Sequence, residues 1–501
     1  MRFLITDDPN IASQIVQGQA AGGRAGTENR GGMLSRREFL RMGAIGGAAL
    51  ALPADGALAL LAEKERPFRV PLSIPPVLKP VRSDGDRDFY RLTMKAADAR
   101  ILPGKRTRVW GFDGRFPGPT IKARRGREIV VRQVNRLNVD TTIHLHGGHV
   151  AAENDGHPMD LIPPGDRRDY HYPNLQEAAT LWYHDHTHHH TSRNVYMGLA
   201  GLYLIEDAAE DELNLPRGAY DIPLVIQNRS FNSDGSFRFR GNRNVVKGNT
   251  ILVNGRPQPF LKVANRKYRF RILNASNTRG YTLGLDPAAP LVQIASDGGL
   301  LPAPYTDTNL SLWPAERAEV VIDFSAFEVG SKVVLHDLKD PLDPSSATPV
   351  MRFDVEREEE DPSSLPPMLR PIDRLVGVTE RVFELSLDQV TRTWVINGKP
   401  FSHRRIDAEP RLGDTEIWTF RNLSQKTHPM HVHLVMFQVL TRNNLPPAGN
   451  ELGWKDTVRV GPAETVRVAM RFTDFAGRYV FHCHNLAHED HSMMGQMRVV
   501  E

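Results

Sequence analysis

A short turn motif recurs three times at a nearly constant interval. Gly114-Arg115-Phe116-Pro117, Asn254-Gly255-Arg256-Pro257 and Asn397-Gly398-Lys399-Pro400 place their glycines 141 and 143 residues apart. After each comes a polar run and then an apolar-rich segment: Glu128 to Asn135, Tyr268 to Asn274, and Glu416 to Asn422. Self-similarity at a fixed period means a repeated structural unit. Alternating apolar and polar residues, rich in β-branched and aromatic side chains and bounded by Gly, Pro and Asn, are strand patterns. Helix-period segments are few and short. The sequence therefore predicts an all-β chain with one β-sandwich or Greek-key barrel per repeat. The expected domains are residues 67–210, 215–355 and 372–501, with the acidic, proline-rich stretch 356–371 as an exposed linker. The length agrees, because a single core rarely grows beyond about 250–300 residues and this chain has 501.

Composition excludes several classes. Forty per cent hydrophobic content with a net charge of only +4 is a globular balance, not a disordered one. Arginine pairs such as Arg36–Arg37, Arg124–Arg125, Arg167–Arg168 and Arg404–Arg405 are scattered along the chain and form no long basic run of the kind nucleic-acid binding needs. A single cysteine, Cys483, excludes an intramolecular disulfide framework and a cysteine-rich zinc or iron–sulfur site. Nineteen histidines beside that one cysteine point to imidazole metal ligands.

Residues 1–60 are set apart from the fold. Ser35-Arg36-Arg37-Glu38-Phe39 precedes a weakly apolar stretch, Met42 to Leu61, interrupted by Pro53 and Asp55. That stretch lacks the bulk of a membrane span. The Arg36–Arg37 pair, the phenylalanine two places on and the mild apolar region resemble a twin-arginine (Tat) export signal, with Ala57-Leu58-Ala59 as a cleavage site. Met33 offers a start that gives the signal ordinary proportions. The expectation is export by the Tat machinery to the periplasm or the exterior, with no stable membrane span in the mature chain.

Four histidine clusters carry the chemistry: His144-Leu145-His146, His184-Asp185-His186, His428-Pro429-Met430-His431-Val432-His433, and His482-Cys483-His484 with His488 and Met493 beyond it. On a strand, His-x-His puts both imidazoles on one face. Four such pairs can converge eight imidazoles on one site, a donor set suited to copper, zinc, iron or nickel. In the fourth cluster Cys483 faces opposite to its two flanking histidines, so one strand addresses two sites at once. A cysteine, two histidines and a weak thioether form the blue-copper set. Cys483, His488 and Met493 supply three members, and His428 can supply the fourth. One His-x-His pair alone is ordinary polar filling of a strand; four together with Cys and Met in place are not.

These clusters, with Leu181-Trp182-Tyr183-His184-Asp185-His186, Gly453-Trp454-Lys455-Asp456-Thr457-Val458 and His482 through Asp490, resemble the three-domain multicopper oxidases. Within that family the likeness is greatest to bacterial spore-coat laccases and bilirubin oxidases, and it covers residues 67 to 501. The resemblance implies three cupredoxin-like domains and four coppers per chain. It assigns type 1 copper to His428, Cys483 and His488 with Met493 axial, type 2 to His144 and His431, and the type 3 pair to His146, His184, His186, His433, His482 and His484. It places the trinuclear site between the first and third domains. The reaction it implies takes single electrons from a small reducing substrate, passes them through Cys483, and reduces dioxygen to two waters. Asp155, nine residues after His146, and Glu489, next to His488, match acids that serve oxygen reduction in similar enzymes. Their plain alternatives are a turn acid and a surface charge.

The expected donors are phenols, aminophenols or bilirubin-like tetrapyrroles. A periplasmic cuprous oxidase is the alternative within enzymes, and a non-catalytic cupredoxin-like structural or division protein the alternative outside them. The 14 methionines are scattered and form no Met-rich insert, which disfavours copper detoxification. The intact ligand set disfavours a structural protein. His188, His189 and His190 are read as a loop near the cluster, not as ligands. Residues 443–452 are expected to shape the donor pocket.

Overall fold

The three recurrent turns share one backbone solution. Asp113-Gly114, Asn254-Gly255 and Asn397-Gly398 each have positive φ at both residues, at 54° and 75°, 49° and 75°, and 51° and 70°. Two successive left-handed residues match the twist of the strands they join, and Asn, Asp and Gly adopt that conformation at least cost. Each turn follows a short strand and lies within the crossover between two parallel neighbours. Those neighbours are Arg87–Ala99 with Glu128–Asn135, Asp221–Arg229 with Lys267–Asn274, and Thr379–Leu387 with Thr415–Asn422. The sequence repeat is thus a repeated strand connection.

The protein is described by a computed structural model covering residues 67–241, 248–339 and 346–501. The export segment expected in residues 1–60 lies outside the described residues. The first repeat packs a five-stranded sheet against a four-stranded one, the second a seven-stranded against a five-stranded one, and the third a six-stranded against a four-stranded one. Each sheet pair encloses its own apolar core. Leu92, Val131, Leu181 and Tyr203 centre the first, Leu283, Phe270, Val320 and Phe353 the second, and Trp418, Phe420, Val468 and Phe481 the third. Each such side chain contributes roughly 1.5–3 kcal/mol on full burial. The proline-rich stretch 356–371 connects the second and third sandwiches, but it is a strap, not a free linker. Asp361 accepts from the Lys267 amide at 2.9 Å and pairs with Arg266 at 3.0 Å, and the Leu369 amide donates to Pro302 at 2.9 Å.

Two four-stranded sheets hold the histidines. In the first sandwich Ile143–His146 pairs antiparallel with Ala179–Asp185, opposing His144 to His184. In the third, His428–Val432 pairs with Gly477–Cys483, opposing His431 to His482 and Met430 to Cys483. Cross-strand partners stand about 4.5–5.5 Å apart at Cβ, so register alone gathers the rings in pairs. Among the described residues no helix is long and apolar enough to cross a membrane.

Candidate metal centre

Strand alternation divides the donors into two sets, as the spacing predicts. His482 and His484 turn to one side and Cys483 to the other. Eight imidazoles from the first and third sandwiches meet on the first side, every one of them buried.

Hydrogen bonds at one ring nitrogen show which nitrogen each histidine keeps free. His144 Nδ1 donates to the Asp155 carbonyl at 2.6 Å, and His431 Nδ1 to the Asp456 carbonyl at 2.8 Å. A neutral imidazole has one donor and one acceptor nitrogen. Both Nε2 atoms are therefore lone pairs, and they face each other 3.4 Å apart. His433 Nδ1 donates to Asp155 Oδ2 at 2.7 Å, leaving its Nε2 3.2 Å from His482 Nε2, which is 3.0 Å from His186 Nε2. His146 is reversed: its Nε2 is 2.9 Å from Asp456 Oδ1, and its Nδ1 is buried without a partner. His184 Nε2 and both nitrogens of His484 are likewise buried and unpartnered. Four overlapping groups of converging donors result on this side: His144, His146 and His431; His146, His184 and His484; His186, His433 and His482; and His144, Asp155 and His433. Clustered lone pairs without donors are unfavourable, and they are what metal ions require.

Burial acts in the same direction. It is the largest cause, with neighbouring imidazoles adding to it, that holds His146, His184, His186, His431, His433 and His484 well below the usual imidazole range. Neutral imidazole is the form that ligates. The donor chemistry therefore fits metal.

On the other side of the Cys483 strand, Sγ lies 3.4 Å from His428 Nδ1 and 3.7 Å from His488 Nδ1, and the two nitrogens are 3.2 Å apart. Ser424 Oγ lies 2.8 Å from His428 Nε2, which leaves Nδ1 for a metal. Met493 is buried in the same core, and its carbonyl accepts the Cys483 amide at 3.1 Å. Burial pushes His428 down to about 3 and raises the Cys483 thiol well above its ordinary value. Only a bound cation would keep the sulfur as thiolate here.

Both expected acids are inside. Asp155 is fully buried, with Oδ1 unpartnered and 3.4 Å from His144 Nδ1. The Glu489 carboxylate lies 3.4 Å from His186 Nδ1 and 3.2 Å from His482 Nδ1. Glu489 is 1% exposed, so the surface-charge alternative is excluded. His188, His189 and His190 lie in the turn before the helix Thr191–Met197 and join no group of three converging donors among the described residues.

Three contacts carry no motif of their own. Trp394 lies against His488 at 4.3 Å between centroids, the two rings tilted by 37°. Ser424 orients His428, and Asp456 holds His146 and His431. Asp456 lies inside a quoted segment, but nothing in its spacing marks a role.

A cleft of about 650 Å³ opens over His488, lined by Trp313, Thr391, Arg392, Trp394, Gln425, Lys426 and His491 among others. Residues 443–452, expected to shape this pocket, line a different cavity against the second sandwich. Arg442 is bound there to Glu451 and Glu464, and Asn450 Oδ1 accepts from Gln293 Nε2 at 2.9 Å. Those bonds fix the loop on the wall of that cavity, which meets the cleft over His488 at Trp313.

A fold of three two-sheet sandwiches, with one thiolate-bearing site and one eight-imidazole site joined by a single strand, defines a copper oxidase class. Known proteins agree. Residues 93–210 and 378–501 match family models described as multicopper oxidase. The chain is 37% identical to a laccase of Bacillus stratosphericus, over 86% of this chain and 98% of that one. It is 39% identical to a bilirubin oxidase of Albifimbria verrucaria, over 85% and 80%. A laccase structure from Pediococcus acidilactici superposes with a TM-score of 0.81 at 34% identity, covering 87% of this chain and 96% of that one. The chain belongs to the multicopper oxidase family and is a copper-dependent oxidoreductase that uses oxygen.

Proposed function

We propose that the protein is a laccase-like oxidase that takes electrons singly from aromatic donors (phenols, aminophenols or bilirubin-like molecules) and reduces dioxygen to two waters. One observation carries this reading: a complete Cys/His donor set under an open cleft, one residue away from a complete eight-imidazole set. The proposal assigns four coppers. His428, Cys483, His488 and Met493 would hold type 1 copper. His144 and His431 would hold type 2, and His146, His184, His186, His433, His482 and His484 would hold the type 3 pair. Copper, when bound, supplies the one-electron and oxygen-reducing chemistry. The domain limits 67–210, 215–355 and 372–501 belong to the same proposal, supported by the three separate cores. So does Tat export to the periplasm or exterior, supported by Arg36–Arg37 and the stretch after it.

The chain's own residues perform four tasks. His488 presents its ring to the cleft, and Trp394 lies against that ring as a platform for a planar donor. The peptide of Cys483 joins its sulfur covalently to His482 and His484, the shortest through-bond link between the two donor sets. Asp155 Oδ1 has no partner and faces the eight-imidazole site, placed to accept and deliver a proton. Glu489, between His186 and His482, can do the same on the opposite side. Asp155→Asn is expected to slow oxygen reduction by roughly 10²-fold or more, the usual weight of a positioned proton carrier, with copper content unchanged. Unaltered turnover in a copper-replete Asp155→Asn would remove that role.

The cleft also speaks to the donor. Arg392 and Lys426 line it, and neither a carboxylate nor a methionine does among the described lining residues. Two cations beside indole favour an aromatic donor bearing an acidic group, and they repel Cu(I). Oxygen uptake by the copper-loaded protein should therefore be faster with a carboxylated aromatic donor than with Cu(I). Arg392→Glu with Lys426→Glu should raise KM for the acidic donor about tenfold and leave kcat for a neutral phenol unchanged. Fastest uptake with Cu(I) would favour the cuprous-oxidase alternative, and no uptake at full copper loading would sink the oxidase reading.

A further inference from the structure

The second sandwich contributes no histidine to either donor set, yet one of its side chains reaches the imidazoles through a single carboxylate. We propose that Arg317 is a positioning residue for the trinuclear site: it locks Asp456, and Asp456 fixes which nitrogen His146 offers to the metal and where His431 stands.

Arg317 is fully buried and extends from strand Arg317–Asp323 of the second sandwich. A guanidinium has five N–H donors, and here each has an acceptor. Nε donates to the Thr180 carbonyl of the first sandwich at 2.9 Å. One Nη donates to the Ala315 carbonyl at 3.1 Å and to Asp456 Oδ1 at 2.7 Å. The other donates to the Asp297 carbonyl at 3.0 Å and to Asp456 Oδ2 at 2.5 Å. The planar fork therefore sets both the position and the plane of the Asp456 carboxylate, which a lysine ammonium would not do.

Asp456 passes that orientation on. Its Oδ1 also accepts from Thr457 Oγ1 at 2.9 Å and lies 2.9 Å from His146 Nε2. An oxygen already taking donors from arginine and threonine is an acceptor only, so the proton between it and His146 sits on Nε2. The lone pair is thereby left on His146 Nδ1, the nitrogen that is buried and unpartnered beside His184 and His484. The backbone carbonyl of the same residue takes the proton of His431 Nδ1 and so frees Nε2 of that ring. One aspartate thus sets opposite tautomers on two neighbouring imidazoles. Partners of this kind fix ring orientation and are commonly worth 10–100-fold in metal affinity.

Two further observations show that the surroundings are shaped around this pair. Gly147, directly after His146, has φ +84°, and a Cβ there would stand 2.7 Å from Asp456 Oδ2 and 2.8 Å from an Arg317 Nη. The peptide after His146 is packed against the ion pair with no room for a side chain. Lys455, also fully buried, pairs with Asp297 and Glu316 at 3.0 Å each, so the segment bearing Asp456 is tied to the second sandwich at successive residues. Among the buried ion pairs, Arg269, Arg271 and Glu319 of the second sandwich bind Glu210 and Thr180 of the first without touching any donor imidazole. The Arg317 pair does touch one.

The proposal rests on His146 and His431 being ligands, and its test separates the two claims. Three variants, Arg317→Met, Arg317→Lys and Asp456→Asn, are compared with Arg370→Met. Arg370 forms a buried pair with Asp207, remote from the imidazoles. In copper-loaded protein, Arg317→Met and Asp456→Asn should change the type 2 EPR signal, lower trinuclear copper affinity 10–100-fold and lower kcat. The type 1 absorption and the KM for donor should stay as in the wild type. Arg317→Lys should fall between, because it restores charge without the fork. In copper-free protein, ¹⁵N-histidine NMR should show His146 protonated on Nε2 in the wild type and mixed in Arg317→Met. Lost thermal stability alone, with normal EPR and tautomers as in Arg370→Met, would reduce Arg317 to a structural tie and overturn the proposal. If Arg317→Met does not fold, Asp456→Asn decides by the same readouts. A wild type with the expected tautomers but no copper at His146 would overturn the ligand reading, and with it the claim that Arg317 positions a metal ligand.

Discussion

Cys483→Ser is expected to abolish oxygen consumption with every donor and to remove the blue absorption, while the eight-imidazole site still takes up copper. Cys483 is fully buried, and burial raises its thiol far from ionisation. Such a sulfur is inert as a free thiol. Its place between His428 Nδ1 and His488 Nδ1, at 3.4 and 3.7 Å, is one that only a bound cation makes sense of. Serine keeps the volume and the backbone bonds but offers a hydroxyl, a far poorer donor to copper than thiolate. The cross-strand pairing of Met430 with Cys483, the hydrogen bond from Cys483 N to Met493 O, and the flanking His482 and His484 depend on the backbone and survive. The readouts are therefore copper content, which should fall by the type 1 ion alone, the type 2 EPR signal, which should persist, and oxygen uptake, which should vanish. Retained uptake with the blue band gone would show that electrons reach the imidazole site by another path, and the link through the Cys483 peptide would fail.

That prediction could be written from the sequence, and the reason is physical. Strand alternation is strictly periodic, so His482-Cys483-His484 separates two sites in any register. The repeated Asp-Gly and Asn-Gly turns likewise specify a conformation few other dipeptides adopt, and their spacing points to three units before any strand is located. What the sequence left hidden depends on contacts between distant segments. Arg317 belongs to the repeat with no histidine cluster, and its partner Asp456 lies 139 positions on. Ser424 sits four residues before His428, and its value appears only once the turn brings its Oγ to Nε2. Trp394 has the look of a core tryptophan until its ring is seen against His488. Residues 443–452 differ for a related reason: the pairs from Arg442 to Glu451 and Glu464 set the loop against the second sandwich, where it lines a cavity that meets the cleft over His488 at Trp313. For Glu489 the sequence leaves a surface charge open as the alternative to a functional acid, and only the packing of its helical turn, Leu486–Glu489, shows it to be buried.

Copper-free protein is expected to unfold on mild acidification, over a range in which the copper-loaded protein stays folded. Seven imidazoles, those of His146, His184, His186, His431, His433, His484 and His488, are held well below the ordinary value of 6.5 in the folded chain, chiefly by burial. In the unfolded chain each returns to about 6.5. Below that pH the unfolded state binds protons that the folded state does not, so stability falls as pH falls. Each depressed histidine adds a slope of about 1.4 kcal/mol per pH unit until its folded value is reached. Above pH 6.5 the contribution is complete and flat. Several such groups acting together remove a stability of about 5–15 kcal/mol within roughly one to two units below the unfolded value. Metal ligation opposes this, because a proton must displace the ion and metal binding adds its own free energy to the folded state. Tryptophan fluorescence or circular dichroism, followed against pH for chelator-treated and copper-loaded protein, reads the difference directly. The midpoint of the copper-free form should lie above that of the loaded form by at least about one pH unit. Coincident midpoints would mean that the buried imidazoles are not the groups whose protonation drives acid unfolding. A copper-free midpoint that moves to lower pH when His184 and His484 are replaced together by glutamine, an uncharged side chain that does not titrate, would assign the effect to the site itself.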